Sequence, residues 1–165
     1  MNLVILSLAV VGFIFSLYLM YSTDHGIPGI QKYDKTFQLL DMRFRYDSNI
    51  VYDTFKNIGN PGMKAYKQYL IVDYFFIICF LIIMVAISNQ VLTETFYYYL
   101  LIFFSYSRAV FDVIENTLII LLINQYPEKN IKLATFCSWS TTFKFISLYI
   151  WIVGIIFGFI YILIF

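Results

Sequence analysis

Apolar residues run in four long stretches along the chain, and polar residues gather between them. Residues 3–22 form the first stretch, 69–88 the second, 96–123 the third and 136–165 the fourth. A helix needs about 20 mostly apolar residues to cross a bilayer. The pattern therefore predicts an all-α polytopic membrane protein, a four-transmembrane-helix bundle. Start and stop signals around each run set the expected helices at 3–22, 61–88, 95–124 and 133–164, in a single membrane domain over 1–165. The first run has no basic residues ahead of it, is longer than the apolar part of a secretory signal and is followed by no small-x-small cleavage site. It is expected to remain as a helix.

The long loop at 23–60 carries structure of its own. "DHGIPG" is a loop signal from Gly and Pro. In "YDSNIVYDTFKNIG", Asp47 or Ser48 can cap a helix that stops at Gly59. Ile50, Val51, Phe55 and Ile58 fall on one side of it, which predicts a short amphipathic helix on the membrane surface or against the bundle. Asn60 and Pro61 then suit the cap and first position of a new helix that runs on to Ser88.

Composition agrees with lipid as the main solvent. The chain is 61% hydrophobic, 21% aromatic and 13% charged, with a mean hydropathy of +0.79; soluble domains carry roughly 25% charge. The lipid bilayer is the expected partner, in a plasma or organelle membrane. A net charge of +1 and the absence of a basic stripe with interleaved aromatics point away from nucleic acid. Of the 11 Lys and Arg residues, Lys32, Lys35, Arg43, Arg45, Lys56, Lys64 and Lys67 lie in or next to the first loop, and Lys129 and Lys132 lie between the last two spans. The intervening loop "NQVLTET" has none. The positive-inside rule puts both basic loops in the cytosol and both termini on the non-cytosolic side. Tyr97, Tyr98 and Tyr99 suit an outer aromatic belt, and Tyr66 and Tyr69 an inner one.

The remaining charges are out of place for lipid. "SRAVFDVIENTL" at 107–118 interrupts the third run, and Lys144 interrupts the fourth. At about 100° per residue, with Arg108 at zero, Asp112 falls near about 40°, Glu115 near about −20°, Asn116 near about 80° and Ser105 near about 60°. They share one face. A charge at the bilayer centre costs roughly 2.5–3.5 kcal/mol on insertion scales, so this face should turn inward. Cys137, Ser140, Thr141, Ser147 and Trp151 lie within about 60° of Lys144 on the last helix. An antiparallel hairpin turning near Glu128 puts Lys144 level with Asp112, and Asp73 of the second span about 5 Å nearer the loop side than Glu115. Asp73, Arg108, Asp112, Glu115 and Lys144 are thus expected to converge, joined by Asn116, with a formal charge of −1 that favours uptake of a proton.

Three readings follow. The first is a site that binds or moves a small molecule, an ion or proton, or a lipid. The second is a structural or assembly subunit whose charges lock helix packing. The third is a membrane-embedded lipid-modifying enzyme. No catalytic residue is assigned. Serines and threonines around Lys144 read as partners of the helix backbone, with a Ser–Lys dyad as the catalytic alternative. His25, the one histidine, sits in a loop beside Asp24 and reads as a surface residue. Cys79 and Cys137 read as small core residues. Neither metal-ligand spacing nor a phosphate loop is present, so no metal and no cofactor is expected. Gly154 and Gly158 form a GxxxG that suits self-association, contact with another membrane subunit, or tight internal packing.

The stretches "GNPGMKAYKQYLIVDYFF", "FDVIEN" and "TTFK" together resemble small uncharacterised four-span integral membrane proteins that share a GxxG, a following Tyr and Asp, a DxxEN and a lysine in the last span. The resemblance covers Arg43 to Lys144 and rests on Gly59, Gly62, Tyr66, Asp73, Asp112, Glu115, Asn116 and Lys144. It departs at Met63, where the pattern has a basic residue; Lys64 comes next. The likeness implies the four-span fold and brings no activity with it.

Overall fold

A computed structural model describes residues 2–91 and 96–164. Among them there is no strand, and the long elements are all helices. Helix α1 covers Leu3–Ser22, α2 Ile27–Gln31, α3 Ser48–Ser88, α4 Phe96–Gln125 and α5 Ile131–Ile164, with a short 3-10 turn at Leu40–Met42. Among the described residues, three stretches are long and apolar enough to cross a membrane: Leu3–Gln31, Ser48–Ser88 and Ile131–Ile164. The chain is built as an α-helical membrane protein. Residues 92–95, which hold most of the expected "NQVLTET" turn and the first position of the third predicted helix, lie outside the described residues, as does Phe165.

Helix α1 is apolar all round, as a helix in lipid should be. Asn2 caps it by accepting from the Val4 N–H at 3.0 Å. Only Ala9, Gly12, Ser16 and Met20 are buried, a stripe three to four residues apart that meets α3. A Cβ on Gly12 would come within 2.8 Å of Cys79 Sγ, so the glycine sets how closely α1 approaches.

Helix α3 is two arms. Gly59 has φ 61° and ψ −176°, a conformation that is essentially glycine's alone. Pro61 follows, opening the second arm where its missing N–H costs no helical bond. The first arm buries Val51, Tyr52, Phe55 and Ile58 on one face, and Ile50 is only half-buried. That face packs into the bundle beside Phe37, Leu40, Ile119 and Leu122.

Helices α4 and α5 form an antiparallel hairpin. Pro127 lies in its turn, and the Asn130 side chain accepts from the Leu133 N–H at 3.1 Å to cap α5. Near the far end, Gly154 and Gly158 pack inward: Leu101, Tyr97 and Val91 fill the space their side chains would take. Two apolar clusters result. The larger gathers Phe55, Tyr66, Leu70, Ile119, Leu122 and their neighbours at the turn end. The smaller holds Met84, Val91, Leu101, Trp151 and Ile155 at the opposite end. Along α3, α4 and α5, the charged residues come between these two clusters.

Candidate functional site

The polar layer starts with Lys144, which is 5% exposed. A lysine on a buried helix face cannot reach water, so its three N–H donors must find acceptors within the bundle. It finds three. The ammonium lies 3.0 Å from Asp112 Oδ1 and 2.5 Å from Glu115 Oε2, both on α4. It also donates to the backbone carbonyl of Asp41 at 2.8 Å. One side chain of α5 thus ties down both α4 and the loop ahead of α3.

Asp112 has a second cation. Arg108, one turn earlier on α4, places Nη2 at 2.6 Å from Asp112 Oδ2. The guanidinium packs over the rings of Phe80 and Phe76, with centroids 4.6 and 5.7 Å away. A cation over an aromatic face recovers part of the lost hydration. Its Nε and Nη1 have no hydrogen-bond partner.

Glu115 is fully buried; it accepts from the Thr141 hydroxyl through one oxygen and is ion-paired with Lys144 through the other. The Cys137 thiol donates to the Glu115 backbone carbonyl at 3.7 Å, and the Tyr46 hydroxyl donates to that sulfur at 3.2 Å. Asp73 on α3 joins through an amide and not through a cation: Asn116 Nδ2 donates to it at 2.6 Å. Asp112, Glu115 and Lys144 form a buried charged cluster, with Arg108 paired to it and Asp73 and Asn116 bonded beside it.

The loop supplies what periodicity could not show. Asp41 is 3% exposed, and its carboxylate accepts from the hydroxyls of Tyr66 at 3.4 Å and Tyr69 at 3.3 Å. Burial raises its carboxyl above the ordinary value, against the pull of Lys144. Tyr46 is also buried, and burial pushes its phenol well above the usual range. The loop is fastened to α5 at two points: the Tyr46 N–H donates to Ser138 Oγ at 3.0 Å, and Thr142 Oγ1 donates to the Phe44 carbonyl at 2.7 Å. The one sequence signal for Asp41 was its apolar setting in "FQLLDM", a lone acid among residues that would want burial.

The layer now holds four buried carboxyl groups, on Asp41, Asp73, Asp112 and Glu115, against two buried cations, Arg108 and Lys144. Among the described residues, clefts at five places along the helices are lined by none of the six. Nor do three or more His, Cys, Asp or Glu side chains gather there as metal ligands. His25 and Cys79 stand apart from the layer: His25 is in the turn after α1, and Cys79 packs against Gly12. No family model matches this chain, and no match was found among curated proteins or solved structures.

Removing the cation should be costly, because it strands a fully buried carboxylate. Lys144→Met is expected to lower stability by about 3–5 kcal/mol, the usual cost of breaking a buried pair. Adding Glu115→Gln should recover part of that loss by removing the stranded charge. Unfolding of the purified protein in detergent measures both, and an undiminished midpoint for Lys144→Met would refute the account of the layer.

Proposed function

We propose that this chain is a four-span membrane protein that takes up and releases protons at the buried layer. The observation that carries the reading is the imbalance of four carboxyls against two cations in a place water does not reach. Two surplus negative charges there would be costly, and a carboxyl sheds its charge by taking a proton. The protons belong to the coupled group, not to a single residue. Of the ligands open to such a site, a proton is the one that needs no cleft. In this reading α4 is the fourth span. Its charged stripe faces the bundle and its apolar sides, with Phe103, Tyr106, Val110 and Val113 exposed, face lipid.

A second reading has its own support. Lys144 touches α4, the loop and its own helix at once. A network that only locks the helices in register would look the same. Proton movement separates the two. Vesicles loaded with a pH-sensitive dye and carrying the purified protein should dissipate an imposed pH gradient. The Asp73→Asn variant should slow that to the rate of protein-free vesicles. Equal rates for wild type, variant and empty vesicles would leave the lock as the answer.

Stability should also carry the signature. An unfolded aspartate ionises near about pH 4. Asp41 in the folded chain does so at higher pH, so over that window the folded state holds a proton the unfolded chain has lost. This contribution is present at low pH and fades as pH rises through the folded value. Asp41→Asn is expected to flatten that part of the profile of unfolding against pH. An unaltered slope would remove Asp41 from the proton-holding group.

The orientation belongs to the same proposal. The basic loops ahead of α3 and between α4 and α5 face the cytosol, and both termini face away from it. A protease-accessible tag on the C-terminus of the protein in cells should be cut only from the non-cytosolic side. Cleavage from the cytosol would reverse the assignment.

A further inference from the structure

Away from the buried layer, two clefts meet at the end of α1. One is polar, about 250 Å³, with Asp34, Thr36, Asp53, Thr54 and Asn57 on its walls. The other is largely apolar, about 310 Å³, with Tyr21, Ile27, Leu39 and Met42. Phe37, Gln38 and Arg43 line both, so the clefts share a wall.

Among the described residues, the charged groups lining the polar cleft form no ion pairs. Arg43 forms no ion pair, and its Nε is buried with no hydrogen-bond partner. Among the described residues Asp53 makes neither an ion pair nor a side-chain hydrogen bond. One oxygen of Asp34 is held by the Thr36 N–H and hydroxyl at 2.8 and 2.6 Å, and it too has no cation. A cation and two carboxylates thus line one small cleft, and among the described residues none of the three is in an ion pair. A ligand that carries both signs would bridge them.

The apolar cleft says where such a ligand comes from. Tyr21 lies in the last turn of α1, a helix long and apolar enough to span the bilayer. That is the level at which aromatic residues mark the membrane boundary. Met42 and Phe44 stand exposed beside it. A headgroup in the polar cleft would sit directly over acyl chains at the apolar one.

We propose that the joined clefts bind a zwitterionic phospholipid with a phosphoethanolamine headgroup. The phosphate meets the guanidinium of Arg43, which lines both clefts and can pair with two phosphate oxygens. The ammonium meets Asp53 and Asp34, and glycerol and the start of the chains occupy the apolar cleft. Two carboxylates against one cation disfavour a lipid of net negative charge. The site is separate from the proton-binding layer and depends only on the chain residing in a membrane.

Lipid retention by the purified full-length protein, read by native mass spectrometry from detergent solution, tests this with three probes offered separately: phosphatidylethanolamine, phosphatidylglycerol and free phosphoethanolamine. The wild type should keep phosphatidylethanolamine about tenfold better than phosphatidylglycerol, a preference of one charge contact. Arg43→Gln should lose about tenfold in phosphatidylethanolamine affinity. Asp53→Asn, on an exposed helix face where folding is not at stake, should narrow the preference between the two lipids. Equal retention of both lipids by the wild type would overturn the proposal. So would an Asp53→Asn protein with the wild-type preference, or retention of free phosphoethanolamine as strong as that of the lipid.

Discussion

The ammonium of Lys144 is the constraint on which the bundle depends. A lysine at the middle of an apolar helix cannot be left in lipid, and snorkelling to water is closed to it by its depth. It must be matched from a neighbouring helix, at one height and on one face. Asp112 and Glu115 meet that need, and in doing so they set the register of α4 against α5. Once Asp112 is committed to Lys144 through one oxygen, its other oxygen is left for Arg108. The charged stripe that makes α4 the least membrane-like long helix by composition is therefore the part of α4 that lipid never meets.

The same ammonium reaches out of the helices. Its third donor goes to a backbone carbonyl of the loop, so the loop is part of the site and not a cover laid over it. Around that bond the sequence has placed hydroxyls, each at a point where a carboxylate or a backbone group would otherwise go unsatisfied. Tyr66 and Tyr69 serve Asp41, Thr141 serves Glu115, and Thr142 and Ser138 hold the loop backbone. Buried polar groups of this kind are high-stakes: fully joined they rigidify a core, and partly joined they weaken it. The tyrosines also explain why a surplus of acid is tolerated. They hold the Asp41 carboxylate, which has no ion pair among the described residues.

How much of this could be read along the chain depended on range. The stripe on α4 was legible because helical periodicity is local. The match between Lys144 and Asp112 followed from one more fact, that two helices joined by a short turn run antiparallel, so that depth can be counted from Glu128. The hinge at Gly59 was legible from a glycine next to Asn-Pro, because each of those residues has few backbone options. Asp41 was different. It meets Lys144 across 103 positions, through an irregular loop with no period. Its apolar neighbours Leu39 and Leu40 hinted at burial but not at a destination. Asp73 lay between these cases: its depth could be estimated, but not that an amide, Asn116, would be its partner.

Asp41 is also where the inside of the protein comes nearest to its surface. Its carbonyl is bound by Lys144 and its carboxylate by two tyrosines of α3, so it belongs to the dry layer. Two residues on, Arg43 lines the two open clefts at the end of α1. The chain passes from water to the buried charges within that short reach, by way of the single turn of 3-10 helix at Leu40–Met42. Asp73, on α3, is the carboxyl held by neither a cation nor a tyrosine. The two surplus acids thus differ in kind. One is held in the loop ahead of α3 by two tyrosines, and the other is held within the helices by an amide.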